Sequence, residues 1–163
     1  MRLLLTCLAF ALPAVALADG PAALGPNGGK YGDWTAATYG SGADKICYAF
    51  TTASASKPEI KSRGPVLLTV TERAADRDEV TIGAGYTYPK DAAPALSIGT
   101  TTINFYTQGG TAFTTDGGEA VAAFKAGDSA EAVGPGPHGH PVHDSFSLTG
   151  FNGAFHAISA ACP

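Results

Sequence analysis

Val80-Thr81-Ile82-Gly83-Ala84-Gly85-Tyr86-Thr87-Tyr88 puts an apolar or aromatic residue at every even position and Thr or Gly at every odd one. Side chains along a β-strand alternate between two faces, so this stretch predicts a strand with one face on a core and the other toward water. The same period recurs upstream. Ile46, Tyr48 and Phe50 alternate against Cys47 and Ala49, and Val66, Leu68 and Val70 alternate against Leu67, Thr69 and Thr71. Glu72-Arg-Ala-Ala-Asp-Arg-Asp-Glu79 joins two of these runs, and its charges predict the solvated tip of a hairpin. Downstream, Ala95 to Ile98 and Thr102 to Tyr106 predict a second hairpin turning at Gly99-Thr100. Ser145 to Leu148 predicts a late strand with Phe146 and Leu148 inward.

Two segments carry a helical signal instead. Asp116-Gly-Gly-Glu119 has the form of a capping box, Val121 and Phe124 share a face, and Lys125-Ala-Gly127 supplies a stop. Phe151, Ala154, Phe155, Ile158 and Cys162 lie on one apolar stripe at helical period, which turns Cys162 toward the strand that carries Cys47. With 21 glycines, 11 prolines and only 15% charged residues, the rest suits short strands joined by turns. The predicted class is mainly β (β-rich α+β). It is a twisted antiparallel sheet, or a small sandwich or open barrel, with one short helix and a C-terminal helix packed on it. Asp19 to Gly32 is rich in Gly, Pro and Ala without apolar periodicity and predicts a flexible lead-in. A single domain over residues 33–163 follows, its order starting near Trp34.

The first 18 residues set the compartment. Met1-Arg2 gives a positive start, Leu3 to Leu17 is apolar apart from Thr6, and Ala16-Leu17-Ala18 is a small-x-small cleavage site. A membrane anchor needs roughly 20 apolar residues. This run is shorter and is broken by Pro13, so a cleaved signal peptide over residues 1–18 and a periplasmic or secreted location are expected. Acylation at Cys7 does not fit, because Cys7 lies inside the apolar run with no small-residue pair before it. Cleavage leaves Cys47 and Cys162 as the remaining pair. In an oxidising compartment they predict one disulfide closing a separation of 115 positions. The remaining chain has nine basic and 14 acidic residues, a net charge of −5 with no Lys/Arg cluster. That balance repels nucleic acid and anionic lipid.

Gly134-Pro-Gly-Pro-His138-Gly-His140-Pro-Val-His143-Asp144 is the unusual local feature. Neutral imidazoles suit Cu, Zn or Ni, so His138, His140 and His143 are the candidate metal ligands. The competing account is a solvated Gly/Pro loop with nothing to preorganise the rings. Other chemistry finds little support. There is no Gly-x-Ser-x-Gly elbow, no free cysteine once the bridge forms, and no phosphate-cradling loop before a helix. His143 and Asp144 are neighbours and point to opposite faces of a strand, while His156 falls off the apolar stripe. Asp76 and Asp78 sit in the hairpin tip without apolar surroundings. Tyr86, Tyr88, Phe105, Phe146, Phe151 and Phe155 fit core positions. Tyr39, Tyr106 and Trp34 are less firmly inward and are candidates for a binding patch.

With these pieces placed, the chain resembles the invasion-associated locus B family of exported α-proteobacterial proteins. The resemblance rests on Gly32-Asp33-Trp34 leading to Lys45-Ile46-Cys47-Tyr48, then Val80 to Tyr86, Ile103-Asn-Phe105, Ala120 to Gly127, and Phe146-Ser-Leu-Thr-Gly-Phe151 running to Cys162. These cover most of the chain in order. The resemblance implies a signal peptide, a periplasmic or surface location, a β-rich domain with a cysteine pair, and no defined catalytic residues. The histidine-rich loop departs from the family pattern. The expected function is a non-enzymatic periplasmic or surface protein that binds a protein or an envelope component. The alternative is a periplasmic metal-binding protein using the His138/His140/His143 loop, and a hydrolase is the least supported.

Overall fold

The alternating runs build the larger of two antiparallel sheets. The computed structural model describes residues 20–163, and the signal peptide expected over residues 1–18 lies outside the described residues. In chain order, β1 (Ala22–Ala23), a distorted helical turn α1 (Pro26–Gly29) and β2 (Lys30–Tyr31) precede β3 (Trp34–Tyr39) and β4 (Ile46–Thr52). Then come β5 (Ala55–Lys57), β6 (Leu67–Glu72), β7 (Glu79–Gly83), β8 (Ala95–Ile98) and β9 (Thr101–Asn104). β10 (Tyr106–Gln108), β11 (Thr111–Phe113), helix α2 (Gly117–Ala126), β12 (Ser129–Pro135), β13 (Pro141–Ser147) and helix α3 (Phe151–Ala161) complete the fold. The larger sheet runs β1-β3-β4-β6-β7-β11-β10, with β2 also paired to β3, and the smaller runs β5-β13-β12-β8-β9.

The segment expected to be a flexible lead-in is instead paired along β3. Ala22 and Ala23 stand opposite Thr38 and Ala37, and Lys30 and Tyr31 stand opposite Thr35 and Trp34. Strands of two residues are too short for a period to show in the sequence. Gly150 fixes this corner. It caps α3 with φ 92°, and a Cβ there would lie 1.9 Å from the Tyr31 carbonyl oxygen. Left-handed backbone costs a non-glycine residue about 1–3 kcal/mol, and the clash adds to it. Gly150→Ala should therefore lower unfolding free energy by at least about 2 kcal/mol in urea titration. An unchanged midpoint would remove the close approach of β2 to α3.

Both sheets and both helices contribute to one core. Cys47, Ala49, Leu68, Val70, Val80, Ile82 and Ala112 line the inner face of the larger sheet, and Leu96, Ile98, Ala132 and Phe146 come from the smaller. α3 lies across β3 and β4, where Ala36 and Ala49 are small enough to let a helix approach. Trp34, expected as a possible surface aromatic, is fully buried at this junction. Its ring meets Phe151 and Phe124 at centroid distances of 4.8 and 6.4 Å, and its Nε1 donates to the Ser147 carbonyl at 3.0 Å. At the far end of α3 the Cys47–Cys162 disulfide joins β4 to the residue that ends the helix, with a Cα–Cα distance of 5.9 Å.

Three local expectations are corrected. α2 starts after Asp116, but the Asp116 side chain makes no capping bond; its backbone N–H donates to Thr114 Oγ1 at 3.0 Å. The Val80–Tyr88 run keeps its alternation of burial while β7 ends at Gly83. Gly85 turns the chain with φ 72°, and its carbonyl accepts from Gly64 N–H at 3.0 Å. The hairpin tip is not wholly solvated, because Glu72 is fully buried.

Candidate functional site

The histidine tract closes a hairpin rather than forming an irregular loop. β12 and β13 pair from Ser129↔Ser147 to Pro135↔Pro141, and Gly139 at φ 80° completes the turn, where Gly136 N–H donates to the His140 carbonyl at 2.8 Å. His138 and His140 line a cavity of about 350 Å³ with Pro58 to Lys61, Gly136, Pro137 and Val142. His143 is on β13 itself, one step out of phase with buried Val142 and Asp144. It faces solvent and its Nδ1 lies 3.2 Å from Glu131 Oε1. The three candidate ligands therefore divide between a turn and a strand face. Among the described residues, no group of three or more His, Cys, Asp or Glu is arranged to hold a metal ion.

The carboxylate beside His143 has a different role. Asp144 and Arg63 are both buried and form a bidentate pair, Nη1 to Oδ1 and Nη2 to Oδ2, each at 2.7 Å. Ser56 Oγ donates to the same Oδ1 at 2.6 Å, Arg63 Nε donates to the Ala84 carbonyl at 2.7 Å, and the guanidinium lies 4.8 Å from the Tyr86 ring centroid. Burial pushes the Tyr86 phenol up, as it does that of Tyr88. The cluster ties the smaller sheet to the segment that leads into β6. Sequence carried a signal for it. Asp144 is in phase with Val142, Phe146 and Leu148, all inward, so a carboxylate there requires a buried partner.

The feature that presents chemistry to the surroundings is the outer face of the larger sheet. One register row crosses six strands: Thr35, Phe50, Thr69, Thr81, Phe113 and Tyr106. At about 4.8 Å per strand it spans about 24 Å. The next row holds Ala37, Tyr48, Thr71 and Glu79, and Tyr39 stands opposite Ile46 at the end. Tyr106 and Tyr39 are 55% and 48% exposed, the most open large apolar side chains among the described residues. Their neighbours pair up: the Tyr48 and Phe50 rings are 6.1 Å apart at 28°, and those of Tyr106 and Phe113 5.7 Å apart at 22°. On β4 the larger alternating set, Ile46, Tyr48 and Phe50, points outward, while Cys47, Ala49 and Thr51 are buried. Bulk could not be accommodated inside, since α3 lies against that strand. Sequence reading put Tyr39 and Tyr106 in a candidate patch but did not single out Tyr48, Phe50 or Phe113.

Acidic groups border this face at the β6–β7 turn. Asp76, Asp78 and Glu79 line, with Arg77, Tyr106 and Phe113, a second cavity of about 340 Å³. Arg73 pairs with Glu79 at 2.7 Å, and Arg77, half-exposed, pairs with Glu72 and donates to the Cys162 carbonyl. Asp76, Asp78, Glu79 and the buried Glu72 outnumber these two arginines, so the turn is net negative.

The overall fold is similar to the crystal structure of invasion associated protein B from Bartonella henselae. The TM-score is 0.58, with 81% of this chain and 95% of that one covered, at 17% sequence identity. No family model matches the sequence, and no curated protein matches it. At that identity the likeness speaks for the fold.

Proposed function

We propose that this chain is an exported, non-enzymatic protein of the invasion-associated locus B type that binds another protein through the outer face of its larger sheet. Export is supported by the leader-like residues 1–18 and by the Cys47–Cys162 disulfide. No described helix is long and apolar enough to cross a membrane. The non-enzymatic reading is supported by where the most perturbed ionisable groups sit. Glu72 and Tyr88 are both buried in the domain rather than gathered in a cleft.

The observation that carries the proposal is the set of aromatics Tyr39, Tyr48, Phe50, Tyr106 and Phe113, interleaved with threonines on the outer face of the larger sheet, away from the core. Tyr and Phe supply large contact area with few rotatable bonds and are enriched at protein interfaces. The net-negative β6–β7 turn and the net charge of −5 beyond the expected leader favour a partner that brings basic residues to that turn. Truncating interface hot spots costs about 2 kcal/mol or more, or about 30-fold in affinity. A Tyr48→Ser/Tyr106→Ser variant should therefore lose at least about 30-fold in affinity for a partner isolated from envelope extract and then purified. Glu131→Gln/His143→Ala, on the other sheet, should bind as wild type does. Equal binding by the two variants would rule the outer face out.

A further inference from the structure

Glu72 ends β6 directly opposite Cys47 on β4 and is fully buried. Arg77 Nε approaches its Oε2 at 2.5 Å but off the line of a hydrogen bond, and the side chain and backbone of Asp78 lie against the same carboxyl. Through Nη1, Arg77 also donates to the carbonyl of Cys162. One guanidinium thus ties a buried carboxyl to the residue that closes the disulfide. Lys45 fastens the same turn, its Nζ donating to the Ala161 carbonyl at 2.7 Å. We propose that Glu72 is a proton-operated latch on the C-terminal turn: ionised, it holds Arg77 against Cys162, and protonated, it lets Arg77 go.

The groups that set its charge come from several sides. The β6–β7 turn contributes Arg77 and Asp78 directly, together with Arg73, Asp76 and Glu79, which engage one another. Lys45, just before β4, and the disulfide on β4 lie on one side, and β3 adds Thr38. α3 contributes backbone carbonyls, since its His156 is exposed, and at α2 Asp116 and Glu119 are exposed. Burial raises the Glu72 carboxyl most and the Asp78 carboxyl raises it further. Arg77 and, less strongly, the Asp78 backbone pull it back, and the outcome is a group pushed up to about 7.

The sign of the linkage follows from that direction. A carboxyl that binds its proton more tightly folded than unfolded adds stability in full below the ordinary carboxylate range, and that stability is lost as pH rises through about 7. The latch runs the other way, engaging as pH rises. Global stability and local hold therefore change in opposite senses, which a surface carboxylate does not produce. The turn that Arg77 holds also walls the cavity beside Tyr106 and Phe113, so the latch sets the shape of the rim of the outer face.

Carboxyl NMR and amide hydrogen exchange on the disulfide-bonded protein, from about pH 5 to about pH 8.5, test this. The Glu72 carboxyl should titrate near neutrality, and protection of the amides of residues 73–78 should fall about tenfold as it protonates. Glu72→Gln, neutral and of the same shape, should hold those amides at the released level at every pH. The wild-type urea midpoint should fall across the interval as pH rises, while that of the variant stays level. A wild-type Glu72 carboxyl that titrates in the ordinary range overturns the latch whether or not the variant folds. So does tip protection that follows the wild-type course in Glu72→Gln.

Discussion

Replacing both cysteines, Cys47→Ala/Cys162→Ala, should cost about 4–5 kcal/mol of unfolding free energy, and reducing the wild-type protein should cost a similar amount. The bridge closes a loop of 115 positions. The chain-entropy account of such a loop gives about 4.8 kcal/mol from constraint on the unfolded chain. Domains of this size are stable by about 5–15 kcal/mol, so most of the margin could go. The folded state should nevertheless keep α3 in place. Phe151, Ala154 and Ile158 remain buried, Lys45 still binds the Ala161 carbonyl, and Arg77 the carbonyl of residue 162. The expected signature is thus a lower urea midpoint with a native far-UV spectrum at zero denaturant. A loss under about 1 kcal/mol would mean that the unfolded chain gains little freedom when the bridge opens.

The disulfide was legible because two independent patterns converge on it: an even cysteine count beyond the expected leader, and a helical stripe ending at Cys162 that faces the Cys47 strand. Strand positions were legible for a similar reason, since a period of two survives any register. What alternation does not say is which of two apolar sets faces the core. On β4 both sets are apolar, and the inward choice is made by α3, whose approach only Cys47, Ala49 and Thr51 permit. The outer aromatic face was therefore only partly visible, through Tyr39 and Tyr106. The histidine tract shows the converse limit. Its spacing suggested a shared ion, but β13 begins within it and sends His143 to the opposite side from Val142. Glu72 and Asp144 both sit on inward phases of apolar strands, after Leu68 and Val70 and between Val142 and Phe146. Their partners Arg77 and Arg63 come from turns, where no period announces a contact.

Arg63→Met should be the most costly single substitution outside the disulfide, at about 3–5 kcal/mol. It removes both charged donors from Asp144, leaving a buried carboxylate with only Ser56 Oγ at 2.6 Å. It also leaves the Ala84 carbonyl without its 2.7 Å donor and the Tyr86 ring without the guanidinium above it. Methionine restores most of the volume, so the loss measures an unpaired buried charge rather than a cavity. The converse change, Asp144→Leu, strands a buried guanidinium and should cost a comparable amount. Removing both charges tests the account most sharply. Apolar residues of similar volume in place of a buried ion pair are often neutral or stabilising. Arg63→Met/Asp144→Leu should then recover at least about 2 kcal/mol relative to either single variant, apart from the Ala84 carbonyl that stays unsatisfied. Urea titration of the four proteins gives the coupling as a double-mutant cycle. Additive losses would mean that the two side chains are hydrated separately. The pair would then not be what fastens the smaller sheet to the segment before β6.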